Sequence, residues 1–206
     1  MLKIWGRNNS SNVQKAMWAV GELGLPHERI DVGGVFGKTK EEPYISMNPN
    51  SLVPTLEEDG FILWESNSII RYLAGKHGGT LAPADPKAHA LASQWMDWQL
   101  SVLGPAITPA FWGLIRTPPE KRDQAAISTS QAKTTEAAKI LDRALGNSAY
   151  VAGDAFSMGD IPVGVMTYRF WKLVPERPAL PNLERWYKAI EGRKAFRDHV
   201  ASVPLT

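Results

Sequence analysis

The 206 residues carry 44% hydrophobic side chains, enough for a substantial core in one large domain or two small ones, which excludes a disordered chain. Lys plus Arg number 23 and Asp plus Glu 21, a near balance that excludes the basic surface nucleic acid requires. There is no cysteine, which excludes a disulfide framework, a thiolate metal site and a protein-borne thiol nucleophile, so thiol chemistry would have to use a borrowed thiol.

The opening residues Met1 to Gly6 turn polar too quickly for a signal peptide, and no run of about 18 apolar residues offers a membrane span. A soluble, cytoplasmic chain without a membrane partner is expected. Leu2 to Gly6 reads as a buried strand ending in the polar loop Arg7-Asn8-Asn9. Val13, Ala16, Met17, Val20 and Leu23 then recur at helical steps, and Gly24 stands where that helix stops. Arg29 to Val32 reads as a second strand, and 33–50 as irregular.

Asp59-Gly60, between Pro54 to Glu58 and Phe61 to Trp64, is a strong hairpin signal because both turn residues tolerate positive φ. Ser66 opens a further helix through Ile69, Ile70, Tyr72 and Leu73, closed by Gly78-Gly79. Past Pro83 to Pro86 the punctuation changes to long stretches rich in Ala, Leu, Gln and Lys. Helices are expected over roughly 87–115, 120–146, 158–174 and 182–199, forming a bundle. The expected division is an α/β domain over 1–77, a linker over 78–86 and an all-α domain over 87–206.

Few residues carry chemistry on their own. Ser10, Ser11 and Asn12 lie between the first strand and the first helix, where a helix N-terminus favours an anion. Ser11 with Gln14 also fits an S-x-x-Q capping box, which accounts for Ser11 and leaves Ser10 without a local role. Val53-Pro54 fits a strand start, and Ser66 after Glu65 fits a helix N-cap. The spacing from Gly33 to Gly37-Lys38-Thr39 is one residue short of a phosphate-binding loop, so ATP is not expected. His27, His77, His89 and His199 show no ligand spacing, and no metal site is expected. Trp95 and Trp98 share helical spacing with Leu91 and Val102 and read as core, with Asp97 at water or a subunit boundary. Ser157 to Asp160, between Phe156 and Ile161, matches a capping box with a hydrophobic staple, a folding signal.

Taken in order, Ser10-Ser11-Asn12 after the first strand, Asn48 to Pro54 before the hairpin and Glu65-Ser66-Asn67 after it resemble a glutathione S-transferase of the serine type, with theta and zeta features. The helical half, including the Ser157 to Asp160 box, is similar to that family too. The resemblance implies a thioredoxin-like N-terminal domain with a mixed sheet, an all-α C-terminal domain, and glutathione as co-substrate. It implies that Ser10 donates to the glutathione sulfur, with Asn12 adding a donor, and that the Val53 backbone before a cis Pro54 pairs with the cysteinyl part. In relatives of the cysteine type the key residue stands one position later, at Ser11. Glu65 and Ser66 are implied to hold the γ-glutamyl end, and Lys38 and Lys40 to neutralise the glycine carboxylate. Phe111, Trp112 and Tyr168 are the candidate wall for an apolar electrophile, and a homodimer is implied, with Trp64, Tyr72 and the polar edge of the 87–115 helix as interface candidates. Asn12 replaces the cysteine of the maleylacetoacetate isomerase branch, which weakens an isomerase reading. The same motifs also fit glutathione-dependent disulfide reductases and non-catalytic binding relatives.

Overall fold

The computed structural model describes residues 1–206, the side chain of Thr80 excepted. Contacts gather the chain into two compact units, Met1–Ala82 with Lys194–Pro204, and Pro83–Arg193 with the last two residues.

The first unit is built on a four-stranded mixed sheet. Its strands are β1 (Leu2–Trp5), β2 (His27–Ile30), β3 (Thr55–Glu58) and β4 (Phe61–Trp64), in spatial order β2-β1-β3-β4. β1 pairs parallel to β2 with Leu2 opposite His27, and antiparallel to β3 with Leu2 opposite Glu58. β2 begins earlier than the 29–32 expected, yet backbone bonds from Gly6 N–H to Ile30 O and Arg7 N–H to Val32 O carry the pairing onward to Val32. The β3–β4 turn places Asp59 at φ 50° and Gly60 at φ 87°, the double positive-φ turn that matches strand twist.

Helices α1 (Ser11–Glu22), α2 (Tyr44–Met47) and α3 (Ser66–His77) complete the unit. Gly24 ends α1 with φ 62°. Ile4 and Leu56 of the sheet, Val13, Ala16 and Val20 of α1, and Ile69, Ile70 and Leu73 of α3 are fully buried. This is a thioredoxin-like domain, and its core sits between the sheet and α1 and α3. The segment Lys194–Pro204, sequentially part of the helical half, packs here, because the buried Phe196 ring meets Trp18 edge-on at 4.9 Å.

The second unit is helical: α4 (Pro86–Trp98), α5 (Gly104–Phe111), α6 (Gln124–Leu145), α7 (Asp160–Leu173) and α8 (Pro181–Glu191). Asp85 and Asp123 cap α4 and α6 by accepting from Ala88 N–H and Ala126 N–H, each at 2.9 Å. The short α9 (Lys194–Phe196) belongs to the other unit. The face of α4 that faces the core is Ala92 and Met96, continuing into Gln99 and Leu103. The expectation that Leu91, Trp95, Trp98 and Val102 form core is therefore corrected: Leu91 and Val102 are exposed and both indoles are half-exposed. Among the described residues no helix is long and apolar enough to cross a membrane.

α7 is buried along most of its length, so amphipathic periodicity does not mark it. Its start is marked by the expected box. Asp160 Oδ2 accepts from Ser157 N–H at 2.9 Å and Ser157 Oγ at 3.2 Å, while Oδ1 accepts from Val151 N–H at 3.0 Å and Trp186 Nε1 at 2.8 Å.

Candidate functional site

The loop between β1 and α1 turns tightly. A Cβ on Gly6 would lie 2.5 Å from Val13 and 3.3 Å from Val53, so only glycine lets the loop pass so close to the segment before β3. That loop delivers Ser10 to the N-cap of α1 with φ −82° and ψ 124°. Its side chain makes no capping bond although the residue is only 9% exposed. Ser11 is the first helical residue, which corrects its assignment as the cap of a Ser11–Gln14 box: the cap position falls one residue earlier, on Ser10. Asn12 follows, exposed.

A second segment leads into β3 beside this loop. The amide of buried Asn48 donates to Leu52 O at 2.9 Å and Thr55 Oγ1 at 3.2 Å, and its carbonyl oxygen accepts from Asn50 N–H at 3.0 Å. The Tyr44 hydroxyl donates to Leu52 O at 2.6 Å and accepts from Thr55 Oγ1 at 2.9 Å. Burial pushes the Tyr44 phenol above its ordinary value, so it stays protonated as this donation requires. These bonds fix the turn leading into Val53-Pro54, whose peptide bond is cis.

The third segment is the β4–α3 junction. Glu65 sits at φ 71°, ψ 112°, a left-handed conformation that is costly for a residue with a Cβ. It occupies the N-cap of α3 without a capping side-chain bond, and Ser66, expected as the cap, is instead the first helical residue. Ser66 and Asn67 are buried.

Asn12, Asn48, Asn50, Leu52, Val53, Pro54, Glu65 and Ser66 line one shallow cleft. Larger hollows of about 450 and 290 Å³ lie elsewhere, the first between Ser128, Gln131 and Glu176 and the second between His27, Arg29 and His199. The shallow cleft is the candidate site on chemistry rather than size, because a cis-proline backbone, a helix N-terminus and a carboxylate converge on it.

The other predicted residues of this unit, Ser10 and Ser11 among them, do not line that cleft. Lys38 and Lys40 are exposed on the Gly33–Pro43 loop and do not line it. In the helical unit Phe111 is buried under the guanidinium of Arg169, 4.1 Å from the ring centroid, and Tyr168 is buried as well, whereas Trp112 is 58% exposed. Among the described residues no group of three or more ligand-type side chains fits a metal ion. Sequence reasoning missed Tyr44, Thr55 and Lys15 as supports of the site. Asn48 before Pro49 carries a visible turn signal, but Tyr44, Thr55 and Lys15 announce nothing locally.

A thioredoxin-like domain with this cleft, followed in sequence by a helical unit, defines a class of two-domain thioredoxin-like proteins. Residues 9–76 match the profile of the glutathione S-transferase N-terminal domain, and residues 124–189 that of the C-terminal domain. The chain is 41% identical to glutathione S-transferase GstB of Escherichia coli K12 over the full length of both. It is 34% identical to glutathione S-transferase F14 of Arabidopsis thaliana, over 94% of this chain and 78% of that one. Among solved structures, the theta class glutathione S-transferase of Xanthomonas axonopodis pv. citri with glutathione bound matches at 41% identity and a TM-score of 0.95, covering 100% and 99% of the two chains. Glutathione transferase F7 of Populus trichocarpa matches at 29% identity and a TM-score of 0.87 over 98% of each. The chain belongs to the glutathione S-transferase family.

Proposed function

We propose that the protein binds glutathione in the Asn12 to Ser66 cleft and uses it as a thiolate against an apolar electrophile. The observation that carries this reading is the convergence of the Val53 backbone, the N-terminus of α3 and the Glu65 carboxylate on the cleft that also holds Asn12. Val53 would pair its backbone with the cysteinyl residue as an added strand. Ser66 and the α3 N-terminus would take the γ-glutamyl carboxylate, and Glu65 its ammonium. The similar Xanthomonas transferase was solved with glutathione bound, which supports the same ligand here.

Ser10 is the residue we propose to donate to the sulfur, since its hydroxyl is not used to cap α1. One charge-assisted hydrogen bond plus the helix dipole offers about 2.7 kcal/mol, or two pKa units, toward the thiolate. The thiol proton leaves to water. The sulfur then forms a bond to the electrophilic carbon, and for an aryl halide the halide departs with the electron pair. Lys38 or Lys40 neutralises the glycine carboxylate, and Trp112, the exposed member of the three aromatic candidates, contacts the electrophile.

Titration calorimetry with glutathione, followed by turnover of an activated aryl halide, tests this. Binding with turnover is expected. No heat at millimolar glutathione would overturn it, and binding without turnover on a broad electrophile panel would reduce it to a carrier.

A homodimer fits the apolar stripe Leu91, Trp95, Trp98 and Val102, which lies on one side of α4 and the turn after it, away from that unit's core. A chain without cysteine gains nothing from an oxidising compartment, and we place it in the cytoplasm, where glutathione is kept reduced.

A further inference from the structure

Lys15 is 1% exposed, although lysine is almost never fully buried without a reason. Its ammonium donates to Asn12 Oδ1 at 3.1 Å, and Ser66 Oγ reaches the same oxygen at 3.5 Å, the limit of a hydrogen bond. An ammonium has donors and no acceptor, so only the carbonyl end of the Asn12 amide can face it. The Asn12 carbonyl oxygen is thus the end of the amide that faces Lys15. With Oδ1 held, the planar amide turns its NH2 away from Lys15. Asn12 is exposed and lines the cleft, where Glu65 is the only ionisable side chain.

An apolar side chain could fill the same place under α1 without the cost of desolvating a charge. The lysine therefore does something that packing alone does not ask for. On the glutathione reading given above, the γ-glutamyl carboxylate competes for the Ser66 hydroxyl, and the long Ser66 to Asn12 contact is the weaker bond to give up. The Lys15 bond then remains as the clamp on the amide.

We propose that Lys15 is a positioning residue for the thiol chemistry: it holds Asn12 with its NH2 directed to the glutathione sulfur. Lys15 touches neither glutathione nor the electrophile. Its effect reaches the sulfur through the donor it orients.

The test is a pH titration of the thiolate absorbance of glutathione bound to the full-length protein, with calorimetric affinity measured beside it. Lys15→Met removes both charge and donor, and the thiolate fraction below the pKa is expected to fall about tenfold, one pKa unit, with affinity changed less than about threefold. Asn12→Asp keeps an oxygen acceptor for the Lys15 ammonium, so the melting temperature holds or rises. It also replaces the donor at the sulfur by an acceptor, and the thiolate fraction should fall by more than about tenfold. In an Asn12→Ala background, Lys15→Met should add less to the shift than it does alone.

An unshifted thiol titration in folded Lys15→Met, or in Asn12→Asp, overturns the proposal. If Lys15→Met fails to fold, Asn12→Asp decides. Absence of glutathione binding by the unaltered protein overturns the glutathione reading itself, and the role of Lys15 falls with it.

Discussion

The indole N–H of Trp186 donates to Asp160 Oδ1 at 2.8 Å, with both side chains fully buried. The same carboxylate receives the N–H groups of Val151 and Ser157 and the Ser157 hydroxyl, tying the start of α7 to α8 and to the chain before it. Burial pushes the Asp160 carboxyl up from 3.8 to about 6, against hydrogen bonds that pull it down. A proton held more tightly by the folded protein favours folding fully below about pH 4, and that contribution is lost as pH rises through about 6. Two units amount to about 3 kcal/mol. Asp160→Ala orphans three buried N–H donors at about 1–3 kcal/mol each. The loss of unfolding free energy measured with urea should be about 3 kcal/mol or more at pH 5 and should shrink toward pH 7. A loss independent of pH would show that the carboxyl does not titrate in this range.

That box was legible because it is local: Ser157, Asp160 and the flanking Phe156 and Ile161 lie within six residues. The Asp59-Gly60 turn was legible for the same reason. Both serine caps slipped by one residue, Ser11 for Ser10 and Ser66 for Glu65, because a cap is set by backbone conformation. Glu65 takes a positive φ that its residue type does not advertise. The core face of α4 was misassigned because two stripes share the same spacing. The bulky one, Leu91 to Val102, hid the buried one, where Ala92 and Gln99 look unremarkable. Burial of Lys15 and the packing of Phe196 on Trp18 depend on contacts distant in sequence, or on a charged residue lying inside, and no periodicity encodes either.

The Phe196 ring anchors the C-terminal segment in the first unit, edge-on to Trp18 and without solvent exposure. Phe196→Ala leaves a cavity beside that indole and should cost about 3–5 kcal/mol in urea unfolding. Phe36→Ala, at a 45% exposed position, should cost less than about 0.5 kcal/mol. Equal effects of the two would mean that the segment does not seal the core.

Leu91 is 46% exposed on the stripe proposed to meet a second copy. Leu91→Glu places a charge there and should shift the light-scattering mass at micromolar protein from dimer to monomer. A monomeric mass for the unaltered protein would dismiss the dimer, and a dimeric mass for the variant would move the interface elsewhere, with Trp64 as the next candidate.

Glu65 combines a left-handed backbone with the carboxylate proposed for the γ-glutamyl ammonium. Glu65→Gln keeps the Cβ strain and a hydrogen-bonding oxygen but loses the charge. Glutathione affinity should fall about tenfold with stability unchanged, since a hydrogen bond to a charged group contributes about 1.5–3 kcal/mol. Glu65→Gly removes the strain and the carboxylate together. Unfolding free energy should then change by less than about 1 kcal/mol, because relief of strain and the entropy of glycine oppose one another, while affinity falls further. Unchanged affinity in both variants would remove Glu65 from the site.

Ser10 and Ser11 are separated by position in the helix. Ser10 stands at the N-cap, yet its hydroxyl caps no N–H group, so Ser10→Ala should change the melting temperature little, whereas a working serine cap would cost about 1 kcal/mol. Its effect should appear on the thiol. The pKa of bound glutathione rises by about one to two units, and kcat/KM below that pKa falls about tenfold to a hundredfold, recovering as pH is raised and the uncatalysed thiolate forms. Ser11, inside the first turn and half-exposed, should tolerate alanine in both measurements. A thiol shift in Ser11→Ala with none in Ser10→Ala would move the donor by one residue, to the place cysteine-type relatives use. A melting temperature that falls in Ser10→Ala without a thiol shift would make Ser10 a helix cap and leave the sulfur to Asn12.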